Sequence, residues 1–182
     1  MSKQTLKITE QAPLGNLKKG FIHIDISDAR IISSNDIANS SNVTKNTDPI
    51  LERENGATDK ALRLSWASAS VIEISMPPIM LPPDFDPANP LILHVLAKMK
   101  AASVDTPVIA VGFFMGIGDT NAGGNTAALS TSLQDLKVTV AAADVAAGYP
   151  NPVNTTLKPG THSTASNDVY VYGMWAEYTR KA

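Results

Sequence analysis

The chain of 182 residues carries 15 Lys and Arg against 17 Asp and Glu, a net charge of −2, with 43% hydrophobic and 18% charged residues. That length suits one domain with a sizeable core, and a charged fraction below the usual ~25% leaves a surface built on Asn, Ser and Thr. No basic footprint for nucleic acid or acidic lipid is present, and the lack of Cys excludes a disulfide framework, a thiol nucleophile and thiolate metal ligation.

The opening MSKQTLKITE has no apolar run behind its lysines, so no signal peptide is expected. No stretch reaches about 18 apolar residues, so no membrane-spanning helix is expected either. Residues 1–19, with Pro13 and Gly15, read as an N-terminal arm before a single domain over 20–182. Beyond Gly20, Ile22, Ile24 and Ile26 alternate with His23, Asp25 and Ser27. A helix would set Ile22 and Ile24 about 200° apart and make no apolar face. Period-2 alternation predicts a half-buried strand.

The same pattern recurs along the chain. Leu62, Leu64 and Trp66 alternate with Arg63 and Ser65, and Ile72, Ile74 and Met76 with Glu73 and Ser75. Leu91, Leu93, Val95, Ala97 and Met99 alternate with a second row, Ile92, His94, Leu96 and Lys98, that is itself partly apolar. VIAVGFFMGI from Val108 is nearly continuous in apolar residues, as in a central strand. Leu136, Val138 and Val140 form another row. In the closing DVYVYGMWAEYTR, regular alternation puts Val169, Val171 and Trp175 on one face and Tyr170, Tyr172 and Tyr178 on the other.

Breakers separate these runs. Pro77-Pro78, Pro82-Pro83, Pro87 and Pro90 make MPPIMLPPDFDPANP an extended connection. GIGDTNAGGNT, from Gly116, reads as a flexible loop tip, and the stretches Ser33–Asp59 and Tyr149–Asn167 as long polar loops. Two short helices are candidates, TAALSTSLQDL from Thr126 and AAADVAAGY from Ala141. About eight strands with long loops and little helix predict an all-β jelly-roll-like or Greek-key β-sandwich.

No residue pattern identifies a reaction, and neither a catalytic set nor a cofactor is expected. His23, His94 and His162 are far apart and form no HxH or HxxxH pair, so a metal site is not expected. No GxSxG elbow supports a hydrolytic triad. Asp84, Asp86 and Asn89 have the look of an opening calcium loop, but the prolines and missing Gly and Glu contradict it. Asx turns are the simpler reading, with an ion shared between protomers as the alternative. The glycine-rich loop lacks the Lys-Ser/Thr of a phosphate cradle. Tyr170, Tyr172, Trp175 and Tyr178 could form a sugar-stacking platform, but regular alternation splits them between faces, which favours core plus interface.

From Trp66 to Asp119 the layout runs through a strand VIEISMP, then LPPDFDPANPLILHVLAKM, then an apolar strand ending in GIGDTNAGG. It resembles small β-sandwich virion proteins of tailed bacteriophages, the head decoration or cement proteins. The resemblance implies a structural protein on the capsid surface of the virion, made in the host cytoplasm. It also implies two partners, the major capsid protein and, as a homotrimer, the chain itself. In such a protein Leu6, Ile8, Leu14 and Leu17 of the arm would add a strand to a neighbour. Tyr170, Tyr172 and Tyr178 would face a partner, and one of the two long loops would touch the capsid. The alternative is a carbohydrate-binding or lectin-like module using the C-terminal aromatic residues. An enzyme of cupin or esterase type ranks third.

Overall fold

A computed structural model of the protein describes residues 18–32, 38–39, 48–54, 61–67, 70–102, 105–116, 118–162 and 167–181. Twelve strands form within them: β1 (Lys19–Ile24), β2 (Arg30–Ile31), β3 (Ala38–Asn39), β4 (Ile50–Arg53), β5 (Leu62–Trp66) and β6 (Ile74–Ser75) in the first half. The second half supplies β7 (Leu91–Met99), β8 (Ile109–Met115), β9 (Gly124–Asn125), β10 (Gln134–Val140), β11 (Val153–Pro159) and β12 (Val169–Thr179). One helix, α1 (Ala142–Gly148), lies between β10 and β11.

The strands make two sheets. The larger runs β10-β7-β12-β5-β4-β3, with β1 also paired to β12, and the smaller runs β2-β6-β11-β8-β9. Pairing is antiparallel except between β3 and β4. Consecutive strands repeatedly change sheet, from β7 to β8 and from β10 through β11 to β12. The sandwich expected from the alternation is therefore present. Its core is shared by Leu64 and Trp66 of β5, Leu93 and Val95 of β7, Val111 and Phe113 of β8, and Leu157 of β11, all at most 1% exposed. Each such side chain contributes about 1.5–3 kcal/mol by leaving water.

β12 sits at the centre of the larger sheet. Its whole length up to Glu177 pairs with β7, while its other edge pairs first with β5 and then with β1. The β7 register slips between Val171 and Gly173, so Tyr172 is an extra residue, a β-bulge. Before it Val169 and Val171 point into the core; after it Met174, Ala176 and Tyr178 do. The alternation changes face in mid-strand.

Several expectations need correction. The polar loop expected over Tyr149–Asn167 contains β11, which pairs with β8 over seven residues. Val153, Thr155 and Leu157 face inward there, and a buried Thr (1% exposed) interrupts the apolar row that would have signalled a strand. β-branched Thr fits a pleated sheet as well as Val does. The helix expected from Thr126 is absent: Thr126 N donates to Ile109 O and Leu129 N to Pro107 O, which holds the segment extended beside β8. The glycine-rich loop is tied down. Asn121 Oδ1 accepts from Phe113 N at 3.0 Å and Asp119 Oδ2 from Met115 N at 2.8 Å, continuing the ladder along the edge of β8. β4 and β3 lie within the polar stretch 33–59.

The bulge generates a prediction. A Cβ on Gly173 would meet nothing within 4 Å, so Gly173→Ala changes stability by less than about 1 kcal/mol in urea denaturation. Deleting Gly173 removes the extra residue and leaves regular alternation with Met174, Ala176 and Tyr178 still inward, so cooperative unfolding in urea should be kept.

Candidate functional site

The outward face of the larger sheet is where the bulge acts. Tyr170 is opposite Lys98, Gly173 opposite Leu96, and Trp175 opposite His94, all on residues that alternate away from the core. Tyr170, Tyr172 and Trp175 thus share one face, contrary to the split that regular alternation predicts. Trp175 is not a core residue; it is half-buried on the outer surface. Tyr178, expected beside Tyr170 and Tyr172, instead faces inward at 5% exposure, edge-on to Phe85 and with its hydroxyl donating to Asp84 at 3.2 Å. Leu6, Ile8, Leu14 and Leu17 lie outside the described residues.

One end of this face is organised by Arg63 of β5. Its guanidinium lies 3.0 Å from Glu52, 2.9 Å from Glu54 and 3.7 Å above the ring of Tyr170, and it donates to the Tyr172 hydroxyl at 3.3 Å. The Tyr172 hydroxyl in turn donates to Glu54 at 2.7 Å, and Lys98 reaches the same carboxylate at 3.3 Å. Partial burial would raise the Glu54 carboxyl, but hydrogen bonds from Tyr172 and Lys98 and the Arg63 charge outweigh it and hold that carboxyl below its usual range. Burial, and then the nearby Asp168 charge, push the Tyr170 hydroxyl well up, so it stays protonated. Tyr170 is 4% exposed and outside the core cluster, packed under Arg63. Beside this node opens a cleft of about 470 Å³ lined by Glu54, Arg63, Lys98, Lys100, Thr131 and Tyr170.

The other end is built on Trp175. Its indole stacks on the His94 imidazole, centroids 4.8 Å apart and planes 18° from parallel. His94 is 3% exposed and Nδ1 is 2.8 Å from Asp135 Oδ1, while Nε2 is 3.4 Å from Glu177 Oε2. Glu177 also pairs with Lys19 of β1. The Lys19 hydrogen bond holds the Glu177 carboxyl low, with partial burial opposing and the charges of Lys19 and His94 adding to it. Between the two ends, Tyr172 and Trp175 flank Gly173, whose missing side chain leaves open space on the sheet surface.

Charges on this face come in pairs: Lys19 with Glu177, Lys137 with Asp135, Arg63 with Glu52 and Glu54, Lys98 with Glu54, and Lys100 with Asp168. His23 and His94 lie on either side of Trp175, opposite it on β1 and β7. His162 is elsewhere, fully buried, between the carbonyl oxygens of Gly160 at 2.8 Å and Ala67 at 3.1 Å. Among the described residues no group of three or more His, Asp or Glu could hold a metal ion. Asp86 makes the expected Asx turn, accepting from Ala88 N at 3.1 Å. Arg63, Glu52, Glu54 and His94 escaped sequence reasoning as site residues. The signal that could have found the face is Gly173 inside an aromatic strand, since an interior strand glycine often marks a bulge.

No known protein family matches the sequence, and no curated protein is similar to it. Solved structures are more informative. A xylan-binding module, CBM15, matches with a TM-score of 0.51 at 10% identity, over 90% of this chain and 99% of that one. The two share a fold. Also similar are the CBM22-1 and GH10 modules of a Clostridium thermocellum xylanase complexed with xylohexaose, with a TM-score of 0.47 at 12% identity. That match takes in 88% of this chain but only 28% of the longer xylanase chain. The family 11 carbohydrate-binding module of C. thermocellum, complexed with a mixed-linked tetrasaccharide, gives 0.41 at 9% identity over 91% and 92%.

Two outcomes are expected of the charged groups. Arg63→Met leaves Glu52 and Glu54 facing each other across a partly buried site, and urea denaturation should register a loss of about 2–4 kcal/mol, part of it recovered by adding Glu54→Gln. A carboxyl held low in the fold contributes stability that is full above its unfolded value near 4.3 and vanishes as pH falls through its folded value. Thermal melts between pH 5 and about 3 should therefore fall less steeply for Glu177→Gln than for the wild type.

Proposed function

We propose that this protein is a non-catalytic carbohydrate-binding module whose binding surface is the outward face of the seven-stranded sheet. The observation that carries the reading is the bulge at Tyr172, which turns Tyr172 and Trp175 to one side, on a face that also holds Tyr170 beneath Arg63. Sugar rings present patches of C–H groups, and aromatic side chains offer them rigid apolar surfaces at small entropic cost. The rings are held before any ligand arrives. Tyr172 is fixed through its hydroxyl by Arg63 and Glu54, and Trp175 is backed by His94. Such preorganisation lowers the ordering cost of binding.

Charge balance favours an uncharged ligand. Each cation named on this face already has an acidic partner, so a polyanion would have to compete with an existing ion pair. A neutral polysaccharide competes with none. The ligands of the similar structures, xylan among them, belong to those proteins; for this chain they suggest which polysaccharides to try first. Capsid decoration, a virion location and a trimer rest on the layout of Trp66 to Asp119. Within that segment Asp84, Asp86 and Asp119 are occupied with internal bonds, and the similar solved structures add no support for a phage role.

Affinity electrophoresis in gels containing xylan, mixed-linked β-glucan or polygalacturonate tests the reading. The wild type should be retarded by at least one neutral polymer and not by the polyanion. Trp175→Ala and Tyr172→Ala should each lose at least about tenfold in affinity while keeping the midpoint of thermal unfolding within a few degrees. Free migration of the wild type in every neutral gel overturns it.

A further inference from the structure

Phe21 is the most exposed large apolar side chain among the described residues, at 63%, and it lies on an edge strand where such exposure invites unwanted pairing. Single exposed apolar residues are ordinary on protein surfaces, so its position has to carry the argument. Register places it. On β1, Gly20 and Ile22 stand opposite the inward-facing Tyr178 and Ala176, whereas Phe21 stands opposite Glu177 and His23 opposite Trp175. Phe21 therefore shares the outward face with Tyr172 and Trp175, diagonal to the latter.

Tyr172 and Trp175 are three residues apart on β12, roughly 10 Å at the usual strand rise. A diagonal cross-strand neighbour such as Phe21 is about 7–8 Å from Trp175. The three rings thus follow a line that starts beside Lys98, passes the gap at Gly173, and steps from β12 onto β1. Its surroundings fit the same use. The Lys19–Glu177 ion pair flanks Phe21 and leaves no unpaired charge of its own there. Gly20 is locked under the Tyr178 ring, where a Cβ would approach within 2.1 Å. β1 is thereby held tightly against β12, and its outward side chains stand at fixed positions.

We infer that Phe21 is a third stacking subsite, so that a bound polysaccharide runs along β12 and continues over β1 as an extended internal stretch of chain. This rests on the carbohydrate reading above. It assigns to the first strand a part in recognition that the C-terminal aromatic residues alone would not need.

Chain length separates this subsite from the others. Isothermal titration of the full-length protein with di- to hexasaccharides of whichever neutral polymer retards it should give affinities that rise with length. Phe21→Ala should cost the hexasaccharide about threefold to tenfold and the disaccharide less than about twofold. Phe21→Trp should keep or improve the longer-chain affinity. Because Phe21 is mostly exposed, both variants should melt as the wild type does. An equal loss at all lengths, or no loss on the hexasaccharide while Trp175→Ala abolishes binding, overturns the Phe21 subsite and leaves the carbohydrate reading standing. No binding by the wild type at any length overturns both.

Discussion

β12 is hydrogen-bonded along both edges, to β7 on one side and to β5 followed by β1 on the other. One extra residue at its middle changes what every later side chain does. A strand with period 2 cannot supply inward Val169 and Val171 and also inward Met174, Ala176 and Tyr178 unless the count is shifted by one. The bulge makes that shift, and in doing so leaves Tyr170, Tyr172 and Trp175 together outside. Core packing and surface chemistry are therefore two results of one backbone irregularity. The register with β1 depends on it too, because Gly20 can accept the Tyr178 ring only when that ring points inward.

The polar groups on the outer face act as scaffolding for the rings. A guanidinium with a side chain 12% exposed would be costly without partners. Arg63 has two carboxylates, a phenol hydroxyl and an aromatic face. The Glu54 carboxylate is satisfied in turn by Tyr172 and Lys98. Nearly every donor and acceptor of this node faces another member of it, so its geometry is over-determined. His94 plays the corresponding part at the far end, with Asp135 on one nitrogen and Glu177 near the other. A binding surface built on paired strands and closed networks is stiffer than one built on loops, which is what flat stacking contacts require.

The connections serve the same end by other means. Asp86 turns the chain before β7, Asp84 ties Tyr178 and Arg180, and Asp119 and Asn121 satisfy the edge of β8. These acidic and amide residues give the segment from Trp66 to Asp119 its recognisable spacing. Their work in this fold is to close strand ends and turns, and such spacing recurs wherever sandwiches need those closures.

Period-2 alternation by itself determined much of this protein. It located β1, β5, β10 and β12 within a residue or two, because each has one apolar face and one polar face and a helix would scatter both, while β7 and β8 stood out as longer, more apolar runs. The Ala-rich segment likewise marked α1. It could not find β11, where Thr155 stands in for an apolar residue, nor tell that the segment from Thr126 is pinned extended by β8. Above all it could not place the aromatic residues. Whether Trp175 faces in or out depends on one unpaired residue at Tyr172, and pairing is a property of two strands. Arg63, Glu54 and Tyr172 are likewise separated along the chain and meet only because β4, β5 and β12 are neighbours. Local sequence set which residues would be strands; the non-local ladder, through its register, decided which of their side chains form a surface.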